Sequence, residues 1–216
     1  PAEDVPERFE ELWKINQDLI GWIKAGDAVD GPVVYHGDND YYMDHSFYQQ
    51  GNTSGTIFAD EKNANWETDP YVILYGHNMR NGTMFGKMNL YRQLDYLKEN
   101  PIVEFDTIHS ESANAYVPFA IFDASVDADN DNFFYLRRFE DFENGDLENI
   151  QALISEVTER SMFAIPVEVT TEDRILVLVT CSYSDSNGRL MMFCRELREG
   201  ETSDGIAEQM AQASAK

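Results

Sequence analysis

Apolar residues recur along the chain in two patterns, one typical of helices and one typical of strands. Between the N-terminus and about residue 25, Phe9, Leu12 and Ile20 fall near helical spacing with acidic residues between them, which predicts a helix. Two further helices are predicted at Thr83–Leu97 and Asp146–Glu159, because apolar residues occupy one face of each segment.

From about residue 32 the pattern changes to short segments rich in Val, Ile, Tyr and Phe, separated by Gly, Asn and Asp. The predicted strands are Pro32–His36, Thr56–Asp60, Tyr71–His77, Pro101–Ile108, Ala115–Val126, Ile165–Thr170, Arg174–Cys181 and Arg189–Leu197. Many short strands with few helices favour a mostly β barrel or sandwich over a parallel α/β sheet. Internal repeats and Pro/Gly/Ser-rich linkers are absent from the sequence, so we predict a single domain.

The charge of the chain restricts its partners. Its 216 residues include 40 Asp and Glu against 16 Lys and Arg, a net charge of −24. This balance excludes nucleic-acid binding, which needs a basic face, and disfavours an anionic membrane surface. An apolar fraction of 43% is enough to build a core. The sequence contains no apolar run long enough for a transmembrane helix. Because it begins at Pro1, we interpret it as a processed or truncated product that has lost an N-terminal signal or anchor.

The two cysteines, Cys181 and Cys194, are too few for a disulfide scaffold or a four-cysteine zinc site. Cys181 ends an unusually apolar strand and precedes the polar stretch Ser182–Gly188, which suits a rigidly held, accessible nucleophile; the alternative is an inert buried thiol. In a hairpin across this stretch, Cys194 would lie about 16 Å along the strand from Cys181. We therefore predict that Cys194 is a core thiol and that Cys181 is not in a disulfide.

Two further residues are placed to act on such a thiol. His77 ends another apolar strand, and a His in that position can pair with a thiol that the fold brings close. Arg189 begins the strand after Ser182–Gly188, so that antiparallel pairing would set it beside Cys181, where a guanidinium stabilises an oxyanion or a thiolate. Arg195 shares the parity of Arg189 but lies about 20 Å further along the strand, and is the weaker candidate. Polar contexts favour solvated surface roles for the other histidines, His36, His45 and His109.

The acidic segment Asp127–Asn132 is similar to the start of a calcium-binding loop. Its sixth position is Asn132 rather than Gly, and its twelfth is Arg138 rather than Glu. We therefore predict a solvated acidic loop, no metal site and no cofactor. The sequence also has no Gly-rich phosphate loop and no Gly-x-Ser-x-Gly nucleophile elbow.

Together, these motifs resemble the signature of the sortase family. The resemblance is carried by Thr180-Cys181 at the end of an apolar strand, Arg189 after it, and Tyr75-Gly76-His77-Asn78 far upstream. Further segments match class B sortases in order, namely Asn16–Ile23, Pro32–Val34, Asp38–Met43, Gly55–Asp60 and Thr83–Phe85. The resemblance extends from about Phe9 to Leu197, nearly the whole chain.

The resemblance implies a mostly β fold, an eight-stranded sortase-type barrel with N-terminal helices. It also implies a helix in the loop before the strand preceding the Cys strand, and Asp146–Glu159 fits that helix. We expect residues 1–30 to be a helical segment packed on the barrel and residues 31–198 to be the catalytic barrel. Residues 199–216 are expected to be a polar tail that frays or forms a weak helix.

The resemblance also implies a function, that of a sortase B-type cysteine transpeptidase (a thiol protease-like hydrolase, EC 3.4.22). Such enzymes are anchored N-terminally at the extracellular face of the membrane of Gram-positive bacteria. They cleave a C-terminal sorting motif of surface proteins, Asn-Pro-x-Thr-Asn-like in class B, after its Thr, and join that Thr to an amine of a peptidoglycan precursor. By resemblance, Cys181 is the nucleophile, His77 the general acid and base, and Arg189 the oxyanion stabiliser together with a backbone N–H near Ser182.

The peptide groove is implied in the same way, by matching of motif segments. Its expected lining residues are Asn39, Met43, Tyr135, Leu136, Val179 and Ser182, for which ordinary packing is the alternative. Two other functions stay open at this point. One is a pilin-polymerising sortase that forms Lys isopeptide bonds, and the other is a non-catalytic, sortase-like domain that binds the cell wall.

Overall fold

The structure of the chain is a computed structural model, and it describes residues 5–181 and 188–216. The strands are β1 (Leu19–Ala25), β2 (Val29–Val34), β3 (Ile57–Ala59), β4 (Tyr71–His77), β5 (Val103–Thr107), β6 (Asn114–Ala124), β7 (Phe163–Ala164), β8 (Ile175–Cys181), β9 (Arg189–Glu196) and β10 (Ser214–Ala215). The α-helices are α1 (Glu7–Ile15), α2 (Leu94–Glu99), α3 (Phe139–Glu143), α4 (Leu147–Arg160) and α5 (Ser203–Met210). None of these helices has the length and the apolar character that crossing a membrane requires.

Eight of the strands close into a barrel in the order β1-β2-β3-β4-β8-β9-β6-β5, which confirms the predicted eight-stranded architecture. Most neighbours are antiparallel, but β2 pairs with β3 in parallel, and so does β4 with β8. Closure pairs every strand on both sides and leaves no sheet edge among the eight. Strand β4 has the predicted bounds and is buried along its whole length, as its continuous apolar sequence indicates.

The N-terminal region is helical only over α1, so the prediction that the helix continues to about residue 25 is wrong. Leu19–Ala25 is instead β1, which pairs with β2 on one side and β5 on the other. Trp22 and Lys24 are more exposed than Ile23 and Ala25, which is the alternation of a strand. Pairing with two neighbours outweighs an apolar spacing that also fits a helix, and the barrel therefore begins before the expected boundary at residue 30.

The strand predicted at Ile165–Thr170 is also wrong, because that segment is irregular. The carbonyl oxygen of Glu168 accepts a hydrogen bond from Arg195 Nε at 2.8 Å, so a side chain takes a position that a neighbouring strand would need. The short strand β7 just before it pairs with β10 outside the barrel. The helix predicted at Asp146–Glu159 is confirmed as α4, in the connection between β6 and β7. Asp146 caps this helix, since its Oδ1 accepts a hydrogen bond from the N–H of Asn149 at 3.0 Å.

The single helix predicted at Thr83–Leu97 is replaced by a 3₁₀ segment, Gly86–Arg92, followed by α2. The chain cannot be helical at its beginning, because Met84 has a left-handed φ of 52° and forms an isolated bridge with Asn78. This bridge holds the start of the segment against the end of β4.

The C-terminal tail forms helix α5 and strand β10 rather than fraying. Thr202 caps the helix, since its Oγ1 accepts from the N–H of Gly205 at 3.1 Å. Ile206 and Met210 are buried against the core, and burial of these two side chains is what anchors a segment that is otherwise polar.

Candidate active site

Three adjacent strands bring the candidate catalytic residues to one end of the barrel. His77 and Cys181 are register partners, the last pair of the parallel ladder between β4 and β8. The antiparallel ladder between β8 and β9 runs from Ile175 opposite Arg195 to Val179 opposite Met191. The ladder stops two residues before Cys181 and Arg189, and beyond it Leu190 N–H donates to Thr180 Oγ1 at 2.9 Å. His77 and Cys181 are therefore neighbours at the ends of β4 and β8, and Arg189 begins the strand beside them.

His77 is enclosed at this end of the barrel, with only 5% of its surface exposed. Its Nε2 lies 2.5 Å from the carbonyl oxygen of Met43. A carbonyl oxygen can only accept, so Nε2 carries a proton and donates it to this bond. In the neutral ring the other nitrogen, Nδ1, then carries a lone pair and no proton.

Gly55 allows the loop before β3 to approach the imidazole. It has a left-handed φ of 60°, and a Cβ atom built on it would clash with the carbonyl oxygen of Tyr42 and lie 3.1 Å from Cδ2 of His77. A side chain at this position would therefore push the loop away from His77, whose ring is packed between this loop and Met43.

The two arginines of β9 have different surroundings. Arg189 is half-buried at the beginning of the strand and borders a cleft. Arg195 is 1% exposed, and it donates from both terminal nitrogens to the carboxylate of Glu201, at 2.6 and 2.7 Å. Its Nε donates to the carbonyl oxygen of Glu168. Arg195 thus lies enclosed at the other end of the strand, where it is unavailable to a substrate.

Cys194 is a core thiol, as predicted. It is fully buried and free of any disulfide, which excludes an intrachain bond to Cys181. It lies opposite Leu176, five residues before Cys181, which agrees with the predicted separation of about 16 Å along the strand. Burial raises the pKa of this thiol, so that it stays protonated and unreactive at neutral pH.

A cleft of about 530 Å³ opens at the catalytic end of the barrel. It is lined by Arg189 and by four of the predicted groove residues, namely Asn39, Met43, Tyr135 and Leu136. Val179, which was also predicted for the groove, is fully buried in β8 between β4 and β9, and is not among the lining residues. Ser182 lies outside the described residues.

A buried carboxylate that sequence reasoning missed holds one wall of this cleft together. Asp60 is fully buried, and its carboxylate accepts hydrogen bonds from Tyr75 Oη at 2.9 Å, Arg137 at 3.0 Å and Asn39 Nδ2 at 3.3 Å. All three donors line the cleft. Asn39 is fixed further, because its Oδ1 accepts from the N–H of Glu61 at 2.9 Å.

Asn39 was among the predicted groove residues; of Asp60, Tyr75 and Arg137, only Tyr75 carried a usable signal, since it lies two positions before His77 on one strand and therefore shares its face. The pair of Asp60 and Arg137 is separated by 77 residues in the sequence, and nothing local connects them.

The acidic loop forms ordinary turns. Asp127 Oδ1 accepts from the N–H of Asp129 at 3.1 Å, and Asn130 Oδ1 accepts from the N–H of Asn132 at 2.9 Å. In residues 5–181 and 188–216, no three His, Cys, Asp or Glu side chains are grouped as metal ligands would be. The other histidines are partly exposed and lie beside carboxylates, with His36 next to Asp18, His45 next to Asp44 and His109 next to Glu67.

Residues 28–197, which include every barrel strand except β1, match the model of the sortase domain. The chain belongs to the sortase family. It is 32% identical over 180 residues to sortase B of Listeria monocytogenes, a match that covers 82% of this chain and 68% of the relative. It is 31% identical over 199 residues to sortase B of Staphylococcus aureus, with 91% and 77% covered.

A solved structure of a sortase B–substrate complex from Staphylococcus aureus superposes on this sortase with a TM-score of 0.75 at 27% identity. The superposition covers 92% of this chain and 88% of that one. These similarities confirm the resemblance to class B sortases, and they make the chain a sortase-family transpeptidase in general terms.

Proposed function

We propose that this sortase cleaves a C-terminal sorting motif of surface proteins, Asn-Pro-x-Thr-Asn-like, after its Thr, and transfers the Thr to an amine of a peptidoglycan precursor. The observation that carries the proposal is the pairing of His77 with Cys181 at the end of the ladder between β4 and β8, beside the strand whose first residue, Arg189, lines the cleft. The substrate complex of the Staphylococcus aureus relative supports a peptide as the occupant of the cleft.

In the first half of the proposed reaction, the thiolate of Cys181 attacks the carbonyl carbon of the substrate Thr. The C–N bond after Thr breaks, and protonated His77 gives its proton to the leaving amine, which leaves a thioester on Cys181. In the second half, His77 takes a proton from the incoming amine. That amine forms the new C–N bond, the C–S bond breaks, and the thiolate is restored.

Arg189 is proposed to stabilise the oxyanion in both halves. Its position at the start of β9, next to the strand that ends in Cys181 and at the edge of the cleft, supports this role, because a cation near the developing negative charge lowers the barrier. A backbone N–H near Ser182, outside the described residues, is proposed as the second donor.

The cellular setting is part of the same proposal. We place the enzyme at the extracellular face of a Gram-positive cell membrane, with an N-terminal anchor outside this sequence. Similarity to sortase B of Listeria monocytogenes and Staphylococcus aureus supports this setting.

The proposal is tested with a fluorogenic peptide that contains Asn-Pro-x-Thr-Asn. Replacing the nucleophile in Cys181→Ala should lower the cleavage rate by at least about 10⁴-fold. The matched control is Cys194→Ala, which removes the other thiol from the core and should leave the cleavage rate of the folded protein near that of the wild type. Retained cleavage by Cys181→Ala would refute the assignment of the nucleophile.

The acceptor is tested by mass spectrometry of the product. With an amine-terminated peptide and a Lys side chain offered at equal concentration, we expect the product to be joined to the terminal amine. A product joined mainly to Lys would favour pilin polymerisation, and the absence of any product or thioester would favour a non-catalytic domain.

A further inference from the structure

Two loops contribute most of the lining of the cleft that borders Arg189. One is the loop from residue 126 to residue 137, which connects β6 with α3, and the other contains residues 39–43. Strands β3 and β4 add Phe58 and Tyr75. The loop from residue 126 to residue 137 belongs to no strand or helix, so its place beside the barrel depends on contacts with the rest of the molecule.

Asp60 connects these parts of the chain without lining the cleft itself. Its side chain is 0% exposed, and both of its carboxylate oxygens are bound. Oδ2 accepts hydrogen bonds from Tyr75 Oη at 2.9 Å and from Asn39 Nδ2 at 3.3 Å. Oδ1 accepts from Arg137 Nη2 at 3.0 Å and from the N–H of Lys62 at 2.9 Å. One buried carboxylate thus joins β4 to both loops.

The position of Arg137 in the cleft depends on this carboxylate. Its Nη2 also donates to Glu61 Oε1 at 2.7 Å, and its guanidinium lies 5.9 Å from the ring centre of Phe139. The Arg137 side chain is 39% exposed, and these contacts hold it at the cleft. A buried carboxylate is stable only when it is paired and hydrogen-bonded, so Asp60 and Arg137 fix each other.

We propose that Asp60 is a positioning residue for the donor substrate, the peptide that carries the sorting motif. It acts through Arg137, Asn39 and Tyr75, which it holds in place before the peptide arrives. Binding to a cleft whose walls are already ordered avoids the cost of ordering them. The inference rests on the proposed transpeptidase function, in which a peptide occupies this cleft.

The role of Asp60 concerns binding rather than the chemical step. None of the four groups that donate to its carboxylate belongs to a candidate catalytic residue. A contact that serves the bound peptide and the transition state equally affects KM and leaves kcat unchanged. Loss of the Asp60 charge should therefore weaken donor binding selectively.

The kinetic test is hydrolysis of the donor peptide by Asp60→Asn and Arg137→Gln. The neutral amide has one acceptor atom instead of two, so at least one of the bonds to Tyr75, Asn39 or Arg137 breaks. The donor KM should rise about 10-fold in Asp60→Asn and about 3- to 10-fold in Arg137→Gln, with kcat within about twofold of the wild type. Arg137→Gln, at a half-buried position, keeps the test valid if Asp60→Asn does not fold. An unchanged donor KM in Arg137→Gln, or a fall in kcat without a rise in KM, would overturn the proposal.

The matched control is Asp173→Asn, which replaces another buried carboxylate paired with an arginine, Arg198, at 2.8 Å. Asp173 does not line the cleft, and its replacement should lower the melting temperature and leave the donor KM unchanged. The same rise in KM in this variant would point to a general loss of stability, against a positioning role for Asp60.

A double variant tests whether Asp60 acts through Arg137. In Asp60→Asn/Arg137→Gln, the increase in donor KM should be smaller than the product of the two single increases, because part of each effect is shared. An increase equal to the product would show that the two residues act independently, which contradicts the proposal.

Direct binding tests the proposal without turnover. The donor peptide is titrated by NMR into Cys181→Ala protein, with and without Asp60→Asn. Binding about 10-fold weaker in the double variant supports the positioning role, and equal binding overturns it. Failure of the wild type to cleave the donor peptide would instead refute the proposed function, and the two failures are therefore distinguishable.

Discussion

Strand β9 carries an arginine near each end, and the surroundings of the two arginines differ. At the end near α5, Arg195 is enclosed, and its hydrogen bonds go to Glu201 and to the carbonyl oxygen of Glu168. The neighbouring Arg198 is also paired there, with Asp173 at 2.8 Å. At the other end, Arg189 borders a cleft and begins β9 beside the strand that ends in Cys181.

The difference shows how the same side chain can be enclosed in an ion pair in one place and border a cleft in another. A guanidinium whose donors are saturated by a carboxylate has little left to give to a charge that develops during a reaction. A guanidinium at the edge of a cleft can approach such a charge directly. Position relative to the cleft, rather than the residue type, therefore decides which arginine is proposed for catalysis.

The largest effect is expected when each of the two arginines is replaced in turn, which tests the comparison directly. Arg189→Ala should lower kcat for peptide cleavage by about 10²- to 10³-fold, because it removes an oxyanion donor, while the melting temperature stays near that of the wild type. Arg195→Met should show the reverse, a lower melting temperature with a kcat close to normal in the folded fraction. A large loss of kcat in Arg195→Met alone would show that the wrong arginine has been chosen.

The second-largest effect is a loss of stability at the end of β9 where Arg195 is enclosed. Glu201→Ala leaves Arg195 buried without its carboxylate, and we expect the free energy of unfolding to fall by about 3 kcal/mol in urea titrations. Glu199→Ala, an exposed position close by, is the control and should change stability by less than about 0.5 kcal/mol. Equal stability of the two variants would mean that the ion pair does not hold α5 in place.

A smaller effect is expected at the catalytic end, from Gly55→Ala. The left-handed φ of 60° and the contacts with Tyr42 and His77 both oppose a Cβ atom. We expect a loss of about 1–2 kcal/mol in stability, together with a lower kcat because the loop moves away from His77. Gly51→Ala in the same loop has open space around its Cβ position, and it should retain both stability and kcat.

The smallest effect is the acid dependence of the enclosed end. Hydrogen bonds from Arg195 hold the pKa of Glu201 below its usual value of 4.5. A carboxyl whose pKa is lowered by folding contributes stability above its unfolded-state pKa, and this contribution is lost as the pH falls through the lower folded-state pKa. The stability gap between the wild type and Glu201→Gln, measured by urea unfolding, should therefore narrow below about pH 4.5. A gap that is constant down to pH 2 would contradict this linkage.

The sequence predicts well those elements whose local pattern fits only one kind of secondary structure. Strand β4 is covered on both faces, so its continuous apolar run has no plausible helical alternative. The hairpin of β8 and β9 follows from a short connection, which fixes its register and places Cys194 opposite Leu176. Helix α4 shows a clear apolar face with an Asp cap.

The errors have a common physical cause, since they lie where tertiary pairing decides between two local options. Leu19–Ala25 is a strand because β2 and β5 lie on either side of it, and Ile165–Thr170 is not a strand because an arginine side chain takes its backbone acceptor. The predicted count of eight barrel strands is therefore correct, although the prediction includes Ile165–Thr170 in place of β1.

The candidate site shows the same limit. The spacing of strand and loop predicted Arg189 beside Cys181, whereas the pairing of His77 with Cys181 joins strands that are distant in the sequence. The contact of Asp60 with Arg137 depends on the closed barrel in the same way.

The position of β8 in the barrel has a consequence for the order in which the candidate site is assembled during synthesis. Its neighbours are β4, which is made much earlier, and β9, which is made immediately afterwards. Because β9 follows β8 in the chain and pairs with both β8 and β6, the barrel closes only after β9 has been made. A chain that is incomplete before β8 therefore carries His77, the proposed proton carrier, but lacks Cys181, the proposed nucleophile.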